Sequence, residues 1–66
     1  MTVNIMQLTT DEAGNIGWVT VNVIPYDSST IQNYIDDLAL DGNGYAAEIV
    51  KGDNFDRVAQ AGTVII

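Results

Sequence analysis

Tyr45-Ala46-Ala47-Glu48-Ile49-Val50-Lys51-Gly52-Asp53-Asn54-Phe55-Asp56-Arg57-Val58-Ala59-Gln60-Ala61-Gly62-Thr63-Val64-Ile65-Ile66 is the stretch on which the fold turns. Its start, 45–51, reads as a strand, with Ala47 and Ile49 on one face and Ala46, Glu48 and Val50 on the other. A short helix is predicted near 54–61. Asp53 would be its N-cap, Phe55, Val58 and Ala59 its apolar face, and Gly62 its end. A turn is the alternative for that segment. Thr63 to Ile66 then read as a further short strand.

Upstream, Ile31, Tyr34, Ile35 and Leu38 stand at i, i+3, i+4 and i+7, one apolar stripe of a helix. Asp27 and Ser29 are rival N-caps; Ser29 would form a capping box with Gln32. Gly42 and Gly44 follow Asp41, and either can take the left-handed conformation that stops a helix. Pro25 ends the preceding strand because it has no N–H to donate. That strand, 17–24, puts Val19, Val21 and Val23 on one face, alternating with Thr20 and Asn22. The first strand, 2–9, changes phase: Val3 and Ile5 fall on one face, Met6 and Leu8 on the other. A bulge or burial on both faces would explain this. The turn-forming residues 10–15 join the two strands as a hairpin. The expected fold is α+β, a single domain over 1–66. It has a small mixed sheet in ββαβαβ order, with one main helix and one short helix packed on it. Helical connections favour parallel neighbours among the later strands, with right-handed crossovers.

A 66-residue chain is near the lower limit for an independent core. Small scaffolds usually add disulfides, a metal or a second subunit. With no Cys and no His, disulfides and the usual zinc sets are excluded. An apolar core or a homodimer remains, and 47% hydrophobic residues can supply a core. The first residues, Met1-Thr2-Val3-Asn4-Ile5, lack the features of a secretory signal, and no apolar run approaches the ~20 residues of a membrane helix. A soluble, cytoplasmic protein without membrane contact is expected.

The same absences remove most catalytic constellations. Ser-His and Cys-His pairs are impossible, as is imidazole acid/base chemistry. Ser28 and Ser29 read as helix-start residues rather than nucleophiles. No Gly-rich loop precedes Lys-Ser or Lys-Thr. Asp36-Asp37 and Asp11-Glu12 are paired carboxylates, but glycosidase chemistry needs a cleft between two such groups. Asp41-Gly42-Asn43-Gly44-Tyr45 begins like a calcium loop and then fails. Ala46 replaces the glycine at position 6, and Gly52 replaces the bidentate glutamate at position 12. Neither enzyme activity, cofactor nor metal is expected.

Charge is the outlying property. Nine acids face Lys51 and Arg57, a net charge of −7. Such a field repels nucleic acid and anionic membrane and steers the protein toward basic surfaces; solubility is the plainer explanation. Asp36, Asp37 and Asp41 fall in the C-terminal half of the main helix, where the dipole disfavours anions by about 0.3–1 kcal/mol each. Asp37 and Asp41 are also a like-charge i, i+4 pair. Acids at locally unfavourable positions point to a partner that uses them. Glu48 would point to solvent or join that patch, and Asp11 and Glu12 would lie exposed at the hairpin tip. Asp27, Asp53 and Asp56 are accounted for by helix starts. Clusters of this kind can stand in for a row of phosphates and occupy a DNA-binding channel that works through Lys and Arg. Tyr26, Tyr45 and Trp18 are either anchors at such an interface or core, and core is favoured for Trp18.

In size, charge and lack of catalytic residues the chain resembles small acidic phage-encoded inhibitors of nucleic-acid-targeting defence enzymes. Anti-CRISPR proteins against type I surveillance complexes are the nearest in character. The likeness carries no motif. It implies a stoichiometric inhibitor working by DNA mimicry. Asp36, Asp37, Asp41, Glu48, Asp11 and Glu12 would face a basic nucleic-acid-binding protein, a subunit of a CRISPR surveillance complex that recognises the protospacer-adjacent motif (PAM) or holds target DNA. No direct contact with nucleic acid is implied. The alternative is a structural or assembly module, a homodimer paired through Val64, Ile65 and Ile66.

Overall fold

The computed structural model describes residues 1–64. The chain runs β1 (Thr2–Thr10), β2 (Ile16–Pro25), α1 (Ile31–Leu38), a 3₁₀ turn (Ala39–Asp41), β3 (Tyr45–Lys51) and β4 (Asn54–Ala61). The four strands form one sheet in the order β2-β1-β3-β4, and every neighbouring pair is antiparallel. The order is therefore ββαββ, and the expected mixed ββαβαβ sheet with two helices is corrected. β2 and β3, joined through α1, do run parallel to each other, but β1 lies between them.

The main error concerns 54–61, which is strand β4 rather than a short helix. Lys51 pairs with Asn54 across a two-residue turn, Gly52-Asp53, with Gly52 at φ +61°. Glycine reaches that conformation without steric cost, and a Gly-Asp pair between strands is a hairpin signal. The helical spacing of Phe55, Val58 and Ala59 has another origin. Glu48 pairs with Arg57 and Ala47 with Ala59, so Val58 is an extra, bulged residue. One extra residue breaks period-2 alternation, and the broken pattern imitates i, i+3, i+4. Thr63 and Val64 are not in a strand; Ile65 and Ile66, the rest of that expected element, lie outside the described residues.

β2 contains a matching bulge. Ile5 pairs with Asn22 and Met6 with Thr20, which leaves Val21 unpaired. The irregularity anticipated from the phase change in β1 is thus on its neighbour. It also splits the three valines: Val23 lies across from Asn4 on one face and Val19 across from Gln7 on the other. All three are about half exposed, so no valine face enters the core.

The core lies between α1 and one face of the sheet. Val3, Ile5, Tyr45, Ala47, Ile49 and Ala59 meet Ile31 and Ile35, with Ile24, Tyr34, Leu38, Ala39 and Ala61 at its margin. Val3, Ile5 and Ile35 are fully buried, which stabilises by roughly 1.5–3 kcal/mol per side chain. Neither rival N-cap holds the helix. Thr30 is the cap residue, but its side chain caps no helix N–H; its Oγ1 donates instead to the Asp27 carbonyl at 3.5 Å. Asp27 works one step earlier: its Oδ1 accepts from the Ser29 backbone N–H at 3.0 Å and from Ser29 Oγ at 2.7 Å. Gly42, at φ +91°, ends the 3₁₀ turn in the left-handed conformation. Gly44 and Gly62 serve a different purpose. A Cβ on Gly44 would overlap the Thr63 carbonyl, and one on Gly62 would overlap that of Asn43, so the two segments cross with no room for a side chain. Among the described residues, no helix is long and apolar enough to cross a membrane.

Candidate functional surfaces

The sheet separates two surfaces. The helix-side pairs run Val3–Ile24 and Val3–Ile49, Ile5–Ala47, and Ala47–Ala59. The opposite, open face carries Leu8–Trp18, Met6–Thr20, Met6–Ala46, Asn4–Val23, Asn4–Glu48, Glu48–Arg57 and Val50–Phe55.

α1 holds Asp36 and Asp37 on its exposed side because Ile31, Tyr34, Ile35 and Leu38 are turned to the sheet. Asp36 Oδ1 accepts from Gln32 Nε2 at 2.9 Å, one helical turn back. Asp41 is not stacked on Asp37 as an α-helical i, i+4 neighbour, because the chain has tightened to 3₁₀ by Ala39. Its Oδ1 accepts from the Asn43 N–H at 2.8 Å, and its Oδ2 accepts from the Tyr45 hydroxyl, which in turn accepts from Gln7 Nε2 at 3.1 Å. Asp41 thereby ties the turn to the sheet. The Tyr45 hydrogen bond, with that of Asn43, holds its carboxyl below the usual range, and the same contact pushes the Tyr45 phenol up.

Asp11 also has a structural task. Its Oδ1 accepts from the backbone N–H groups of Ala13 and Asn15, both at 2.9 Å, which closes the β1–β2 turn and lowers its pKa. Glu12 beside it is exposed. The hairpin end and the 3₁₀ turn flank one open hollow of about 340 Å³, lined by Leu8, Thr10, Ile16, Asn43, Gly44 and neighbours. Among the described residues, no titratable side chain lines it. Among the described residues, no group of three or more carboxylates is arranged to hold a metal ion.

Glu48 is separated from the other acids. It stands on the open face, where its Oε1 accepts from Arg57 Nη2 at 3.0 Å and from Nε at 3.2 Å. Its side chain is only 12% exposed. The Arg57 guanidinium also lies 4.9 Å from the centroid of the Trp18 ring, within cation–π range. Since Trp18 is on β2 and Arg57 on β4, the two outer strands, this stack bridges the width of the sheet over β1 and β3. It accounts for the complete burial of Ala46 on a face with no helix. Trp18 is therefore half-buried in an open-face cluster rather than in the core.

Among the described residues, Lys51–Asp56 and Arg57–Glu48 are the ion pairs. Asp11, Glu12, Asp27, Asp36, Asp37, Asp41 and Asp53 have no cation partner, and all belong to the helix layer or the connecting turns. Sequence alone does not show the Arg57–Trp18–Glu48 cluster, because Arg57 falls in the segment expected as a helix; the Gly52-Asp53 turn is the signal that places it opposite Glu48. No protein-family model, curated protein or solved structure matches this chain.

Proposed function

We propose that this protein is a non-catalytic inhibitor that binds a basic, nucleic-acid-binding surface of another protein through its acidic side. Its most specific form is the one the resemblance implies: a DNA mimic that blocks PAM or target-DNA recognition by a type I CRISPR surveillance complex in the host cytoplasm. The observation that supports it is the segregation of charge. Glu48 and Arg57 neutralise each other on the open face, so the whole net charge of −7 resides on the helix layer and the turns. A one-signed field over the helix layer and both ends of the sheet is what a Lys- and Arg-lined channel attracts. Asp36, Asp37 and Glu12 are the acids freest to make that contact, whereas Asp41 and Asp11 supply field from positions already fixed by the fold.

The test is binding to a purified type I surveillance complex, with and without duplex carrying the correct motif. Competition by the duplex and weakening with salt are expected. The double reversal Asp36→Lys with Asp37→Lys should abolish binding and leave the circular dichroism spectrum unchanged, since both side chains point away from the core. Binding that ignores both salt and the double reversal would refute the mimicry.

The open apolar face favours a second reading, that of an assembly module. Its basis is this face; of the C-terminal segment, Thr63 and Val64 belong to no strand, and Ile65 and Ile66 lie outside the described residues.

A further inference from the structure

We propose that the open face of the sheet is a self-association surface, on which a second copy of this chain packs sheet to sheet. It presents Phe55 at 60% exposure, Val23 at 54% and Val50 at 44%, around the half-buried Trp18, Leu8 and Met6. Side chains of this size left to water on one sheet face mark an interface rather than scattered surface residues.

Charge selects the occupant. The only ions among the paired residues of this face are Glu48 and Arg57, which cancel. A strongly acidic or basic partner gains nothing there. A second copy meets a face of no net charge, on which apolar side chains are interleaved with Asn4, Thr20, Gln60 and the Glu48–Arg57 pair, with a like face, and both sets of helix-layer acids stay on the outer sides of the pair. Two molecules of −7 can thus associate without bringing the acids of their helix layers into contact.

Area agrees. The molecule measures 35 × 29 × 18 Å, and the thin axis is that of a helix layer on a sheet. The rectangle enclosing the broad side is roughly 1,000 Å², an upper bound that leaves room for the ~800 Å² per partner of a standard interface. Phe55, Trp18 and Arg57 are residue types enriched at such contacts, and Trp and Arg recur among those that dominate binding energy. The sheet edges are a poorer route. Both edge strands carry a bulge, at Val21 and at Val58, and β2 ends in Pro25, devices that disfavour edge-to-edge pairing. Face packing also supplies the second apolar layer that a 66-residue chain lacks.

Sedimentation equilibrium on the wild-type chain should show a mass rising with concentration from 7.1 kDa toward twice that value. Trp18 emission should shift to the blue along the same curve. Phe55→Asp, which places two facing carboxylates in the interface, should raise the dissociation constant about 100-fold or more. Its fold is checked by circular dichroism, and Val50→Thr is a milder variant expected to act in the same direction. A wild-type mass that stays at 7.1 kDa at every concentration would overturn the proposal and leave the face to a different protein. A dimer unmoved by either variant, or one whose Trp18 emission does not follow its mass, would place the interface elsewhere and overturn it equally. Neither variant touches Asp36 or Asp37, so this result is independent of binding to a surveillance complex.

Discussion

The helix side and the open side of the sheet are built from the same four strands, yet they differ in what finishes them. On the helix side, Val3, Ile5 and Ile35 have no solvent exposure. On the open side, Val23 and Phe55 are more than half exposed, and a single Trp18–Arg57 stack is the cover. The charge follows the opposite rule: the helix layer and the turns bear the unpaired acids, and the ions among the paired residues of the open face cancel. Apolar content alone therefore does not say which face of a small sheet becomes the core. The helix decides, and its stripe of Ile31, Tyr34, Ile35 and Leu38 is the stronger claim on one face.

That contrast can be broken most severely at Ile35. Ile35→Ala should cost about 2–5 kcal/mol, read as a lower urea midpoint, because the truncated site opens a cavity between helix and sheet. Gly62→Ala comes next, at roughly 1–3 kcal/mol, since φ +87° is strained for alanine and its Cβ meets the Asn43 carbonyl. Asp41→Asn has a smaller effect with a pH signature. The folded-state pKa of Asp41 lies below its ordinary 3.8, so its contribution is present above that pH and is lost as pH falls through the folded value. The variant should therefore show less stability at neutral pH and a shallower decline in acid, measured by urea titrations down the pH scale. The smallest effect belongs to the open face. Val23→Thr should change stability by no more than ~0.5 kcal/mol when measured at dilution, where the chain is monomeric. A cost at Val23 equal to that at Ile35 would erase the distinction between the two sides.

Much of the helix side was legible in the sequence. The hairpin of 2–9 and 17–24, the stripe of α1 and the strand 45–51 follow from local pattern, and the structure contains them; a stop at Gly42 or Gly44 follows too, and Gly42 is the one in the left-handed conformation. The failure at 54–61 is equally physical. Period-2 alternation identifies a strand only while each residue has one partner, and the extra Val58 breaks the count in the middle of a short element. Glu48 was misplaced for the same reason. Its cation, Arg57, could not be recognised as a cross-strand neighbour while 54–61 was read as a helix. The site acids fare differently. Asp36 and Asp37 are exposed as expected, but Asp11 and Asp41 are also turn-closing residues, a duty that composition does not reveal.

The two bulges have a further consequence for how this chain can be edited. Alternation works like a reading frame: removing one residue from a regular strand sends every later side chain to the wrong face. Val21 and Val58 are already single-residue insertions in that frame. Excising Val58 would leave Glu48 opposite Arg57 and Ala47 opposite Ala59, and excising Val21 would leave Ile5 opposite Asn22 and Met6 opposite Thr20. These are the two strand positions where the chain can shorten by one residue and keep its sides in phase, at the cost of flatter, stickier edges.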